Sequence, residues 1–145
     1  ECEGRDRTPA CDDSLGEHQS RLECGARMNV LSKRQVGEWG ETVAADYLAQ
    51  NGYDVIARNL SCFLGEIDLV AIKGERLTFF EIKTRQFNVL ETISTQKIKR
   101  LSRSVQFYLK RYGYRFDNFQ VDFIGIETVP RPKLIHLENV LEARL

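Results

Sequence analysis

The chain has 145 residues, of which 42% are hydrophobic and 29% charged, the size and polarity of one globular domain with a modest core. No run approaches the roughly 18 apolar residues needed to span a bilayer, and the first thirty residues lack the apolar stretch of a secretory signal, so a cytoplasmic protein with no membrane partner is expected. The formal charge of zero hides an asymmetry: residues 1–27 carry seven acids and four bases, leaving fourteen acids and seventeen bases for the rest.

Residues 1–31 read as a flexible N-terminal extension and 32–145 as a single domain. The leading 27 residues are polar, show neither helical nor strand periodicity, and precede the only methionine, Met28. Three of the four cysteines, Cys2, Cys11 and Cys24, fall in that segment. Neither they nor Cys62 have C-x-x-C spacing or paired histidines beside them, which argues against a zinc site.

From Lys33 to Gln50, Val36, Trp39, Val43, Ala44, Tyr47 and Leu48 recur at helical spacing, and Asn51-Gly52 supplies a stop. Three strand-like runs follow, Tyr53–Leu60, Gly65–Ile72 and Leu77–Thr84, rich in β-branched, leucine and aromatic residues and separated by short polar segments; an antiparallel meander is expected. A second helix, Ser94–Tyr112, places Ile98, Leu101, Val105, Tyr108, Leu109 and Tyr112 on one face. Phe107 falls on its basic side, where a partly covered aromatic is preferred to a stacking platform for a base. A fourth strand, Phe119–Ile126, a break at Pro130-Arg131-Pro132 and a short fifth strand, Leu134–Leu137, complete the order α-β-β-β-α-β-β.

Residues 92–116 hold seven bases (Lys97, Lys99, Arg100, Arg103, Lys110, Arg111, Arg115) and no acid. A solvated helix face explains such a stretch by itself; with a second signal it points to a polyanion.

The second signal lies in the second and third strands. Lys73-Gly74-Glu75-Arg76 between them suits a two-residue turn with glycine at its first central position. If Lys73 faces Arg76, Asp68 stands across from Glu81 and Glu66 across from Lys83, all four on one face. Directly opposed carboxylates start roughly 5 Å apart at Cβ and repel unless a cation or a proton lies between them. Oxygen ligands of this kind suit Mg²⁺ or Mn²⁺, with Lys83 beside the metal and its water. A solvated sheet face, with charges alternating between buried Ile67, Leu69, Phe80 and Ile82, is the simpler reading. Against it, the same face carries Val70, Ile72 and Phe79, a partly apolar surface that a helix would cover. Glu41, at the margin of the first helix, is a further candidate acid.

Gly65-Glu66-Ile67-Asp68-Leu69-Val70 followed by Phe80-Glu81-Ile82-Lys83-Thr84-Arg85 resembles the D…E-x-K core of the PD-(D/E)XK nuclease superfamily. Closer still, the chain is similar to the YraN family of bacterial proteins over about residues 33–145. That likeness runs from Gly37-Glu38-Trp39-Gly40-Glu41 through the hairpin and Lys97 to Arg115-Phe116-Asp117 and Ile135-His136-Leu137-Glu138-Asn139. No proline precedes Asp68, where Ile67 stands, and the leading 27 residues lie outside the resemblance. It implies an α/β, restriction-endonuclease-like fold, a mixed sheet flanked by helices. It implies Asp68 and Glu81 as metal ligands, Lys83 as catalytic lysine, Glu41 as a helix-borne acid, and Gln96 or Lys97 near the phosphate.

Three functions are therefore weighed. The first is a Mg²⁺- or Mn²⁺-dependent endonuclease hydrolysing phosphodiester bonds in DNA rather than RNA, branched or structured DNA included. The second is a non-catalytic nucleic-acid-binding adaptor that uses Lys99, Arg100 and Arg103. The third is a structural or oligomerisation domain. A homodimer is left open, and no loop carries a base-reading code.

Overall fold

A computed structural model describes residues 30–112 and 118–141. The expected N-terminal extension lies, but for its last two residues, outside the described residues, as does Arg115-Phe116-Asp117. Helix α1 (Lys33–Gln50) is followed by strands β1 (Asp54–Cys62), β2 (Gly65–Lys73) and β3 (Arg76–Arg85), a short 3₁₀ turn (Val89–Thr92), helix α2 (Thr95–Arg111), and strands β4 (Phe119–Glu127) and β5 (Lys133–Leu137). This is the expected order, and no helix is long and apolar enough to cross a membrane among the described residues.

Both helices start on a serine. Ser32 Oγ accepts the Gln35 N–H at 3.2 Å while Gln35 Oε1 accepts the Ser32 N–H at 2.9 Å, a reciprocal box that satisfies two donors the first turn leaves unpaired. Ser94 Oγ accepts the Lys97 N–H in the same way. Asn51 caps the end of α1, and Gly52 takes a φ of +82°, open to glycine at little steric cost.

The five strands form one sheet in the order β1-β2-β3-β4-β5. β1, β2 and β3 are the expected antiparallel meander, β3 and β4 are parallel, and β5 returns antiparallel to β4. The sheet is thus mixed, because a parallel neighbour needs a long crossover and α2 supplies it.

Each face has its own helix. Leu69, Ala71, Phe80, Ile82, Ile124 and Ile126 pack under Ala44, Ala45 and Leu48 of α1, while Val70, Leu77, Phe79, Val121 and Phe123 pack under Leu101, Val105 and Tyr108 of α2. Two expectations are corrected here. Ile67 joins the cluster beneath α2 rather than that of Leu69, so β2 loses strict alternation at Asp68. Tyr112 does not reach the core: it is the cap residue after the last turn, 60% exposed, with its ring 4.7 Å from that of Tyr108.

A buried polar clasp holds β5. Asp122 lies wholly inside on β4; its Oδ1 accepts from Gln120 Nε2 (2.7 Å) and the Asn139 N–H (2.9 Å), and its Oδ2 lies 2.7 Å from His136 Nε2 on β5. The other imidazole nitrogen meets Tyr47 Oη of α1 at 3.1 Å. A carboxylate this deep is stable only with its oxygens bonded, and here both are.

α1 lies close against the sheet at Gly40, where an added Cβ would collide with Thr84 Oγ1, a buried hydroxyl with no hydrogen-bond partner. Gly40→Ala gains about 1 kcal/mol in helix propensity but overpacks a rigid interface at a cost of roughly 1–3 kcal/mol. The loss wins: the variant is expected to unfold at lower urea, and Thr84→Ala in the same chain to restore most of the midpoint. A midpoint unchanged by Gly40→Ala would show that α1 is not held at this distance.

Candidate active site

The β2–β3 ladder runs from Lys73↔Arg76 to Leu69↔Phe80, the register expected from the Gly74 turn, and stops there. Gly74 has the positive φ, +61°, that a primed hairpin turn requires. Beyond Leu69, β2 continues against β1 as far as Gly65, and β3 continues against β4 as far as Arg85. The sheet therefore forks, with Asp68 and Glu81 just past the last pair, so neither Asp68 and Glu81 nor Glu66 and Lys83 are the ladder pairs that the extrapolated register made them. Asp68 Oδ2 accepts the Ile82 N–H at 2.7 Å. A side-chain carboxylate thus stands in for the strand acceptor that the fork has removed.

Asp68, Glu81 and Lys83 line one pocket of about 230 Å³ together with Glu66, and Lys97 and Arg100 of α2 close its rim. Lys83 Nζ lies 2.8 Å from Glu81 Oε1. Burial pulls the Lys83 ammonium down, but its hydrogen bond to Glu81 and the charges of Glu81, Asp68 and Glu66 outweigh that and leave it raised. The Asp68 carboxyl is pushed up to about 7, by burial first and by the Glu81 charge second; the Ile82 N–H and Lys83 oppose the shift, and Glu41 adds to it. Glu41 thus acts on the site electrostatically from α1.

The remaining expected residues separate. Gln96, Lys99 and Arg103 line a neighbouring groove with Phe63 and Leu64, and Arg100 borders both spaces. Phe107 is a partly covered aromatic, its ring edge-on to Phe63.

The donor chemistry of the pocket fits a hard divalent cation. Asp68 and Glu81 offer only oxygen, burial and the Glu81 charge raise the proton affinity of Asp68 in a way that a cation between them would offset, and the volume leaves space for water. Glu81 would have to share or release its contact with Lys83. The group of three or more donors found within 4.8 Å among the described residues is a different one, Asp122, His136 and Glu138. Both oxygens of Asp122 are already bonded inside the protein, so that group reads as the β5 clasp. Sequence reasoning assigned Asp122 and His136 no role. The available signal was an aspartate in the middle of an otherwise apolar strand, Val121-Asp122-Phe123-Ile124, which must find a partner.

Fold and site together define an α/β domain whose mixed sheet, covered by one helix on each face, carries an acid–acid–lysine group at a fork between central strands. A family model described as "Uncharacterised protein family UPF0102" matches residues 40–126. The chain belongs to that family, the YraN family of the sequence resemblance. Among relatives of the same description, one from Caldanaerobacter subterraneus is 33% identical over 77% of this chain and 98% of its own length. One from Chloroflexus aurantiacus is 38% identical over 77% and 93%, and one from Clostridium tetani 37% identical over 66% and 85%.

The raised Asp68 carboxyl has a sign that can be checked. Its folded value, about 7, lies above the ordinary 3.8, so its contribution to stability is full below about pH 4 and is lost as pH rises through about 7. In metal-free buffer, Asp68→Asn, which keeps an acceptor for Ile82, is expected to match the wild type near pH 4 and to exceed it by on the order of 2 kcal/mol near pH 8. Urea midpoints across that range provide the measurement. A constant difference between the two proteins would mean that Asp68 titrates normally.

Proposed function

We propose that this protein is a divalent-metal-dependent nuclease of the restriction-endonuclease-like class, hydrolysing phosphodiester bonds in DNA. The observation that carries the reading is the meeting of Asp68, Glu81 and Lys83 in one pocket whose rim is made by bases of the acid-free helix α2.

Asp68 and Glu81 would hold Mg²⁺ or Mn²⁺. When bound, the metal supplies Lewis-acid polarisation of the phosphate and lowers the pKa of a coordinated water. The chain's own groups do the rest. The Lys83 ammonium, kept charged by Glu81, is placed to orient a water and offset negative charge developing on the phosphate. Glu41 strengthens the negative field at Asp68, and so the pull on a cation. Lys97 and Arg100 bind a phosphate at the rim, with Gln96 beside them in the adjoining groove.

In the presence of Mn²⁺, wild-type protein is expected to cut at least one of linear duplex, flapped duplex and four-way-junction DNA. Asp68→Asn, Glu81→Gln and Lys83→Ala should each be slower by about 10²–10³-fold or more. Equal rates in mutants and wild type would defeat the assignment.

The groove of Gln96, Lys99 and Arg103 beyond the acid pocket supports a second reading, an adaptor that binds nucleic acid without cutting it. Salt-sensitive binding that survives EDTA and Asp68→Asn but is lost when Lys99, Arg100 and Arg103 are neutralised, with no cleavage of any substrate, would favour it.

A further inference from the structure

β1 and β2 are joined by the shortest connection in the sheet beside the 74–75 turn: Cys62 pairs with Gly65, leaving only Phe63 and Leu64 between them. The tip of this hairpin carries a phenylalanine that is 83% exposed. An isolated apolar residue on a surface needs no explanation, but this one has a setting. Phe107 of α2 meets it edge-to-face, centroids 5.3 Å apart and planes at 88°, a geometry that braces the ring while leaving most of it in solvent. The braced ring borders a groove of about 390 Å³ whose other wall is Gln96, Lys99, Arg100 and Arg103. Arg100 also lines the acid pocket, so groove and pocket share a wall. The Arg100 stem runs past Gly65, where an added Cβ would touch Arg100 Cγ at an ordinary 3.6 Å but crowd Ser104 Oγ at 3.2 Å, and where the backbone φ of +148° favours glycine.

We infer that this groove is a subsite for an unpaired nucleotide next to the strand held at the acid pocket, the base stacking on Phe63 and its phosphates lying along Lys99, Arg100 and Arg103. The inference deepens the nucleic-acid reading of that pocket and rests on it. An aromatic face flanked by cations binds single-stranded nucleic acid because every base has a π-face and every nucleotide a phosphate. A base inside a duplex has both faces covered by its neighbours and cannot use the ring. The substrate class that follows is a junction between single and double strand. An acidic peptide would use the same cations, but it has no need of an aromatic face braced beside them.

The test is a binding measurement with the full chain in EDTA, so that no cleavage enters it. Fluorescence anisotropy compares a blunt duplex with the same duplex carrying a short single-stranded flap, and 2-aminopurine at the first unpaired position reports stacking. The wild type is expected to prefer the flapped duplex by about tenfold and to quench the 2-aminopurine. Phe63→Ala should lose both while keeping its blunt-duplex affinity, and Phe63→Trp should restore both. Full flap preference and quenching in Phe63→Ala would overturn the inference, as would equal wild-type affinity for the two DNAs or Phe63-dependent competition by polyglutamate. A wild type without the flap preference but with Mn²⁺-dependent cleavage intact removes only this subsite. A Phe63-dependent preference without any cleavage removes only the nuclease chemistry.

Discussion

The bond between the Asp68 carboxylate and the Ile82 N–H is the contact on which the site depends. Where β3 keeps its parallel partner β4 but loses its antiparallel partner β2, a backbone donor is left facing a gap, and a buried unpaired N–H costs roughly 1–3 kcal/mol. A carboxylate from β2 fills that need and is drawn into the protein by doing so. Burial and the nearby Glu81 then raise its proton affinity to about 7. The geometry of the sheet thus accounts for both the position and the unusual acidity of one group.

The two faces of the sheet divide the work. Beneath α1, the Asp122–His136–Tyr47 chain ties β4, β5 and the first helix together, and every atom in it is satisfied internally. Beneath α2, the polar groups of β2 and β3 are only partly satisfied by one another, and they open to solvent through a rim of bases. Both clusters place carboxylates in an apolar sheet. They differ in what is left over: the first closes on itself, while the second keeps excess negative charge. That contrast in satisfaction, more than the presence of acids, separates a structural network from a candidate site.

Much of this was legible in the chain because it is local. Helix α1 has the bounds Lys33–Gln50 expected from its periodicity and its Asn51-Gly52 stop, and the Gly74 turn set the β2–β3 register to the residue. The end of that ladder was not legible. It depends on where β2 and β3 splay apart within the whole sheet, and extrapolating the register past Leu69 made ladder pairs of Asp68 with Glu81 and of Glu66 with Lys83 that do not exist. The Asp122 clasp was hidden for the same reason, since its partners come from β5, from the segment after it and from α1. Phe63 passed as a loop residue because its meaning comes from Phe107, forty-four positions away. Tyr112 kept its place on the helical wheel but fell one residue beyond the helix, where a wheel no longer predicts direction.

The charges of the pocket and its rim bear on each other. Lys83 neutralises one of the two central carboxylates, and Glu41 and Glu66 add further negative field. Lys97 and Arg100 are exposed, so solvent and salt screen them, and they balance the pocket interior weakly while still attracting anions from outside. A phosphate drawn to the rim would then meet repulsion from Asp68 and Glu81 at the floor unless a cation stood between them. A neutral floor would bind phosphate without a metal, and an acidic rim would bind metal without phosphate. With bases outside and acids inside, each ligand would improve the site for the other. This coupling is why the metal and the polyanion belong in one proposal.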